Sequence, residues 1–451
     1  FAQYSHTCLK NIISYRNIIK VALPIIISGL SINIVNITDT IFLSNLSEVA
    51  LGAAGNAGIL YYIFVLIGSG FAVGSQIIIG RRNGEKNYKK IGSLVAQTGY
   101  FMAAMAFVFF FLLRFGGPFF LKDIVSSKEV YQLINEYLYH RSWGIFFTLA
   151  TLVFISFYVG TTKTKVLSWI TPISALINIV LDYGLIFGHF GFPAMGVKGA
   201  AIASNIAEII GASIFLFYTL NLKSKIKYGL FQAEKPDFQK IGKILFTAGP
   251  IMVQNFITLA SWFVFFTLIE NLGENQLAVS HIIRSIYMLI MIPVFGFADS
   301  TNTLTSNLLG QKQANQVFNL IFRVIFVSFF ANLIAMPLVY FNRDFVLGIY
   351  TDNAEILALT EPVLGIISGA IFVFSLGIIL YRAIAGTGKT MIAFWIEFVT
   401  LIIYLIYVVY FTKINPSSLS VVWSSEFVYF GFMSIIGFIY LKYGNWKTSK
   451  I

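Results

Sequence analysis

The sequence predicts an all-α polytopic membrane protein, with twelve transmembrane helices in two six-helix lobes related by a pseudo-two-fold axis along the membrane normal. Three observations lead there. Of 451 residues, 57% are hydrophobic and 11% charged, less than half the charged share of a soluble domain, about 25%. Apolar runs recur at spanning length, about 20 residues each. The two halves of the chain also repeat at a constant shift. The composition alone excludes a water-soluble globular enzyme.

The apolar runs read as helices at 17–43, 50–80, 92–117, 131–159, 166–188, 196–220, 242–270, 277–306, 316–341, 355–384, 391–412 and 419–441. The long polar stretch at the centre carries Lys223, Lys225, Lys227, Lys235, Lys240 and Lys243. This divides the chain into residues 1–220, a cytoplasmic linker at 221–241, and residues 242–451. No cleavable signal is expected, because the first apolar run leads directly into further spans. An inside N-terminus puts Lys10, Arg16, Lys20, the cluster from Arg81 to Lys90, the linker lysines and Lys450 on the cytoplasmic face. It leaves Arg114, Lys122, Lys128, Arg141, Lys198, Arg284, Arg343 and Lys413 outside. That bias follows the positive-inside rule. The formal charge of +12 therefore reads as membrane topology, and no nucleic-acid partner is expected.

A shift of 226 positions aligns Pro24 with Pro250, Gly70-Phe71-Ala72 with Gly296-Phe297-Ala298, Gly84 with Gly310, and Gly160-Thr161 with Gly386-Thr387. Six spans per half is an even number, so both halves share one orientation. Parallel repeats of this kind are a transporter plan, with the substrate path between the halves.

Charges within spans are expensive and mark function by default. Asp39 lies 23 residues beyond Arg16, and Asp182 lies 17 beyond Lys165. At about 1.5 Å per residue both reach the outer half of the membrane. Asn178 precedes Asp182 by one turn and shares its face, and Ser204 reaches a similar depth on the next span. Two carboxylates, an amide and a hydroxyl suit a proton or a small cation such as Na⁺. The 226 shift places Phe265, Tyr404, Val408 and Phe430 at the corresponding positions, so the cluster is expected only in the first half. Pro24 kinks the first span; a hinge and a purely structural kink both fit. Asp299 and Glu397 fit either a substrate or second proton site, or a structural pairing with Arg323 or a tyrosine. Tyr61, Met252, Tyr287 and Met288, with Asp299, are candidate walls of a substrate cavity, since ring faces attract organic cations.

Other chemistry is thin. The single cysteine, Cys8, excludes a disulfide framework, and His6, His140, His189 and His281 show no metal-ligand spacing. Gly386-Thr387-Gly388-Lys389-Thr390 ends like a phosphate-binding loop, but Ala383 stands where its first glycine belongs and no strand precedes it.

The runs Ala22-Leu23-Pro24, Asp39-Thr40-Ile41-Phe42, Leu51-Gly52-Ala53-Ala54, Gly80-Arg81-Arg82-Asn83-Gly84, Asn178 to Asp182 and Gly199 to Ser204 together resemble the multidrug and toxic compound extrusion (MATE) transporters over essentially the whole chain. The resemblance implies a two-lobed exporter driven by H⁺ or Na⁺. It also implies an N-lobe cation site, shared by prokaryotic members, at Asp39, Asn178 and Asp182, with Pro24 as the bending proline. Ser44 and Ser47 stand where the family often has glycine, and Ser204 where threonine is common. Glu270, Glu355 and Glu361 lie at helix ends, so the C-lobe carboxylates of some members are not carried over.

The expected function is a secondary multidrug exporter of the bacterial cytoplasmic membrane, with both termini cytoplasmic and no cofactor beyond its coupling ion. A small organic substrate, cationic or amphiphilic, is expected, as is a monomer in the bilayer. A lipid-linked glycan flippase of the same superfamily is the alternative; acidic buried charges in the first half disfavour it. A membrane-embedded enzyme has no metal pair, Ser/His arrangement or H-E-x-x-H to stand on.

Overall fold

A computed structural model describes residues 13–348, 350, 351 and 353–449; the side chain at 338 also lies outside the description. His6, Cys8, Lys10 and Lys450 fall outside the described residues. Among the described residues the regular secondary structure is all helical, with no strand. The principal helices are α1 (Tyr15–Leu46), α2 (Glu48–Gly84), α3 (Lys89–Phe111), α4 (Lys128–Arg141), α5 (Gly144–Gly160), α6 (Leu167–Phe187), α7 (Gly196–Leu220), α8 (Phe238–Glu270), α9 (Glu274–Gly310), α10 (Val317–Phe341), α11 (Ala354–Gly386), α12 (Thr390–Val409) and α13 (Ser425–Tyr443). Among the described residues, eleven helical segments are long and apolar enough to cross a membrane. The twelfth expected span, 131–159, is not one helix: α4 and α5 meet at a 50° bend. The chain is a multi-pass membrane protein.

Local chemistry sets the breaks. One residue separates α1 from α2: Ser47 is extended, and its hydroxyl accepts the Ala50 amide hydrogen at 3.0 Å, satisfying one of the orphan donors of a helix start. Ser127 caps α4 in the same way. Gly188, at φ +80°, ends α6 in the left-handed conformation that glycine adopts freely.

The residues divide into two compact units. The first is 27–252, and the second is 253–449 with 13–26. Both boundaries fall just after Pro24 and Pro250, and they are repeat-equivalent. The beginning of α1 therefore packs with the second unit and the beginning of α8 with the first. In the first unit, a side chain on Gly70 would meet the Met252 Cα at 2.7 Å; in the second, one on Gly296 would meet Ile26. These are the same contact at the 226 shift, and the absent side chains let the helices approach.

Large apolar side chains cover the outside of the units, and polar side chains are buried alongside apolar ones within. Phe217 is 72% exposed and Phe246 79%, whereas Ser300, Thr301, Asn302, Thr303, Thr305, Ser306 and Asn307 on α9 are at most 2% exposed. The central linker is not a loose tether. Ser93 donates to Glu234 (2.6 Å), Tyr100 to the Glu234 carbonyl (2.6 Å), and Gln97 accepts the Asp237 amide hydrogen (2.8 Å). These bonds hold it along α3.

Candidate functional site: an oxygen cluster in the first unit

Three helices bring the first-unit site together. Leu43, Ile186 and Ala200 lie one turn from Asp39, Asp182 and Ser204 respectively, and they share one apolar cluster with Ala50, Ala54 and Val197. Residues one turn apart share a helix face, so the packing that joins the apolar residues also joins the polar ones. Gly199 is needed at the start of α7, because a side chain there would meet the Leu185 carbonyl oxygen at 2.5 Å.

Asp182 is fully buried, Asn178 is 3% exposed, and Asp39 is half-buried. The same cluster brings Asp39 on α1 and Asp182 on α6 together. Asn178 Nδ2 donates to Ser204 Oγ at 3.5 Å. All four residues singled out in the sequence thus meet in one place. Asp39 Oδ1, Asn178 Oδ1 and both carboxylate oxygens of Asp182 are buried and accept no hydrogen from any protein donor. Buried acceptors without donors are costly, and a proton shared by the carboxyls or a small hard cation satisfies them. No three His, Cys, Asp or Glu side chains form a metal-ligating group among the described residues.

The structure adds a cation that sequence reasoning placed elsewhere. Arg141, expected on the outer side within the 131–159 span, is 8% exposed within the first unit. The α4–α5 bend carries it inward, and Gly144 leaves the space; a side chain there would strike Arg141, Asn205 and Glu208. The Arg141 guanidinium donates to both Glu208 oxygens (2.8 and 2.5 Å) and to Asn205 Oδ1 (2.9 Å), and lies 3.9 Å from the Tyr61 ring centroid. Asn205 in turn donates to the His140 carbonyl at 2.7 Å. A signal for this existed: Glu208 is four residues past Ser204, hence on its face, and Ser142-Trp143-Gly144 interrupts an apolar run.

The candidate cavity residues are divided between the two units. Tyr61 is buried in the first unit, its hydroxyl 2.9 Å from Thr148 Oγ1; Met252 covers Gly70 there. In the second unit, Tyr287 is fully buried and donates to Glu426 at 3.1 Å, while Met288 is 46% exposed. Asp299 faces Arg382 at 3.4 Å; the expected partner, Arg323, instead donates to the Ile13 carbonyl at 3.1 Å. Glu397 has the tyrosine partner expected of it, Tyr429 at 3.2 Å, and also accepts from Thr258 (2.7 Å) and Gln254 (2.5 Å). Tyr381 donates to Gln254. Pro24 lies inside an unbroken α1.

The MatE family model matches residues 24–184 and again 250–411, two stretches that begin 226 positions apart. The probable multidrug resistance protein NorM of Thermotoga maritima is 24% identical over 393 residues, covering 86% of this chain and 83% of its own. The protein of the same description from Rhizobium meliloti is 26% identical over 376 residues, covering 79% and 77%. Among solved structures, a transporter of the MOP superfamily from Pyrococcus furiosus superposes with a TM-score of 0.87 at 18% identity, covering 94% of each chain. A Vibrio cholerae MATE transporter does so with 0.84 at 16%, covering 96% and 98%. With the family's model matched twice and most of the chain covered, this protein belongs to the MATE family of membrane transporters and is not an enzyme.

Proposed function

We propose that the chain is a secondary active exporter of small organic, cationic or amphiphilic compounds, driven by an H⁺ or Na⁺ gradient. The proposal places it as a monomer in a bacterial cytoplasmic membrane with both termini inside. The observation that carries it is the set of donorless buried oxygens on Asp39, Asn178 and Asp182. An ion entering there satisfies them, and its departure leaves them costly again. Transport by alternating access requires that ion and substrate each distinguish two states of the protein, and a site with such a penalty when empty supplies that difference for the ion. Ser204 completes the set through Asn178, and Pro24 is the position where α1 can bend. The multidrug relatives support the substrate class.

The test is efflux from proteoliposomes under separately imposed proton and sodium gradients. One of the two is expected to drive export, and Asp39→Asn to abolish the dependence. Full ion-driven efflux by the Asp39→Asn protein overturns the assignment.

A further inference from the structure

We propose that Arg141 is a built-in cation that competes electrostatically with the transported ion, and that Glu208 sets how strongly it does so. The inference rests on the ion-site reading of Asp39, Asn178 and Asp182. Arg141 then acts on the ion without binding it, as a positioning residue for charge.

The argument begins with where the arginine is. A guanidinium 8% exposed inside a membrane unit is expensive, and a purely structural role is served as well by an apolar side chain. Here a helix break and a glycine are both arranged to admit it. Its charge stands beside the site, since the guanidinium is held by Asn205 and Glu208, one and four residues past Ser204 on α7. Tyr137, one turn before it on α4, packs against the apolar cluster that positions Asp39, Asp182 and Ser204, and so ties the helix that carries Arg141 to the site.

The partner is placed with equal consequence. Glu208 holds the guanidinium through two bonds and stands one turn from Ser204 on α7. Any shift of α7 therefore moves the ion-site hydroxyl and the arginine's counter-charge together. Two bare carboxylates in a low dielectric bind a cation strongly, and an exporter must also release it. A nearby positive charge weakens the hold, and Glu208 tempers that weakening. Cation affinity then depends on the balance between residues 141 and 208.

This balance has a signature that mere structural support lacks. Both Arg141→Gln and Glu208→Gln break the same ion pair, so a structural role predicts changes of the same sign. Electrostatic competition predicts opposite signs. In the efflux assay, using whichever ion drives transport, Glu208→Gln is expected to raise the half-saturating ion concentration about tenfold, and Arg141→Gln to lower it by a similar factor. The double variant is expected to return near the unmodified value, because no net charge is altered.

If Arg141→Gln does not reach the membrane, Glu208→Gln and the double variant decide. An unchanged half-saturating concentration in Glu208→Gln, or a double variant displaced in the same direction as both singles, overturns the proposal. Asp39→Asn is measured alongside. If it leaves ion dependence intact, the ion-site reading fails. If it abolishes that dependence while residues 141 and 208 leave the half-saturating concentration unmoved, only the present inference fails.

Discussion

The two units bridge their first and fifth helices at the same two levels, and they fill those levels in opposite ways. At one level the first unit has Asp39, Asn178 and Asp182, with Ser204 beside them. The second unit has Phe265, Tyr404, Val408 and Phe430, all buried, with the Phe265 ring 5.9 Å from Tyr404 and 5.1 Å from Trp423. Eleven residues earlier on both helices, about 16 Å away, the contents reverse. There the first unit has a neutral Ser28–Thr171 hydrogen bond at 3.0 Å, and the second has Gln254 donating to Glu397. The duplicated backbone decides where two helices can be bridged. The side chains decide whether the bridge needs an ion. Glu397 accepts from Gln254, Thr258 and Tyr429 and is satisfied within the protein; Asp182 accepts from none.

The largest effect should separate the two acids in transport. Asp39→Asn is expected to cost at least about tenfold in ion-driven efflux. Glu397→Gln retains ion dependence, because its carboxylate already has protein donors. Loss of coupling in Glu397→Gln would erase the distinction drawn here.

Stability should separate them in the opposite sense. Glu397→Ala leaves the side-chain donors of Gln254, Thr258 and Tyr429 buried without their acceptor, costing about 3 kcal/mol or more. Asp182→Asn replaces a donorless carboxylate oxygen with an amide that can donate to Asp39, so thermal unfolding in detergent should show no loss, or a gain. A lower melting temperature for both would mean that the two clusters are structurally alike.

The repeat-related glycines sharpen the comparison at smaller amplitude. A methyl at Gly70 meets the backbone of Met252, whereas one at Gly296 first meets the Ile26 side chain. Backbone yields less than a side chain, so Gly70→Ala should cost about 1–3 kcal/mol and Gly296→Ala less, by the same unfolding measurement.

The smallest effect belongs to the linker on α3. The hydrogen bond from Ser93, followed by those from Gln97 and Lys240, holds Glu234 below its ordinary carboxylate value of 4.5. A depressed value stabilises the anchored linker above the unfolded value, and this is lost as pH falls through the lower folded one. Proteolysis at 221–237 should therefore begin only as pH falls below the ordinary carboxylate value of 4.5, and Ser93→Ala should move that onset upward.

The fold and the first-unit oxygen cluster were legible because both are written at short range. Span count follows from apolar run length, since lipid admits only helices that satisfy their own backbone. The 226-residue repeat shows without coordinates, and Asp39, Asn178 and Asp182 stand out because charge in a span is rare. The bent fourth span was misread as one helix, since an apolar run carries no record of a 50° break between α4 and α5.

What only the tertiary structure decided is which polar groups meet and which remain unpaired. Arg141 was counted with the outside basic residues, and the structure pairs it with Glu208; Asp299 found Arg382 rather than Arg323. The Glu397 network joins residues from α8, α12 and α13, too distant in sequence for spacing to reveal. Hydropathy measures each residue's own cost of burial, whereas the cost that matters at a site is set by partners contributed from other helices.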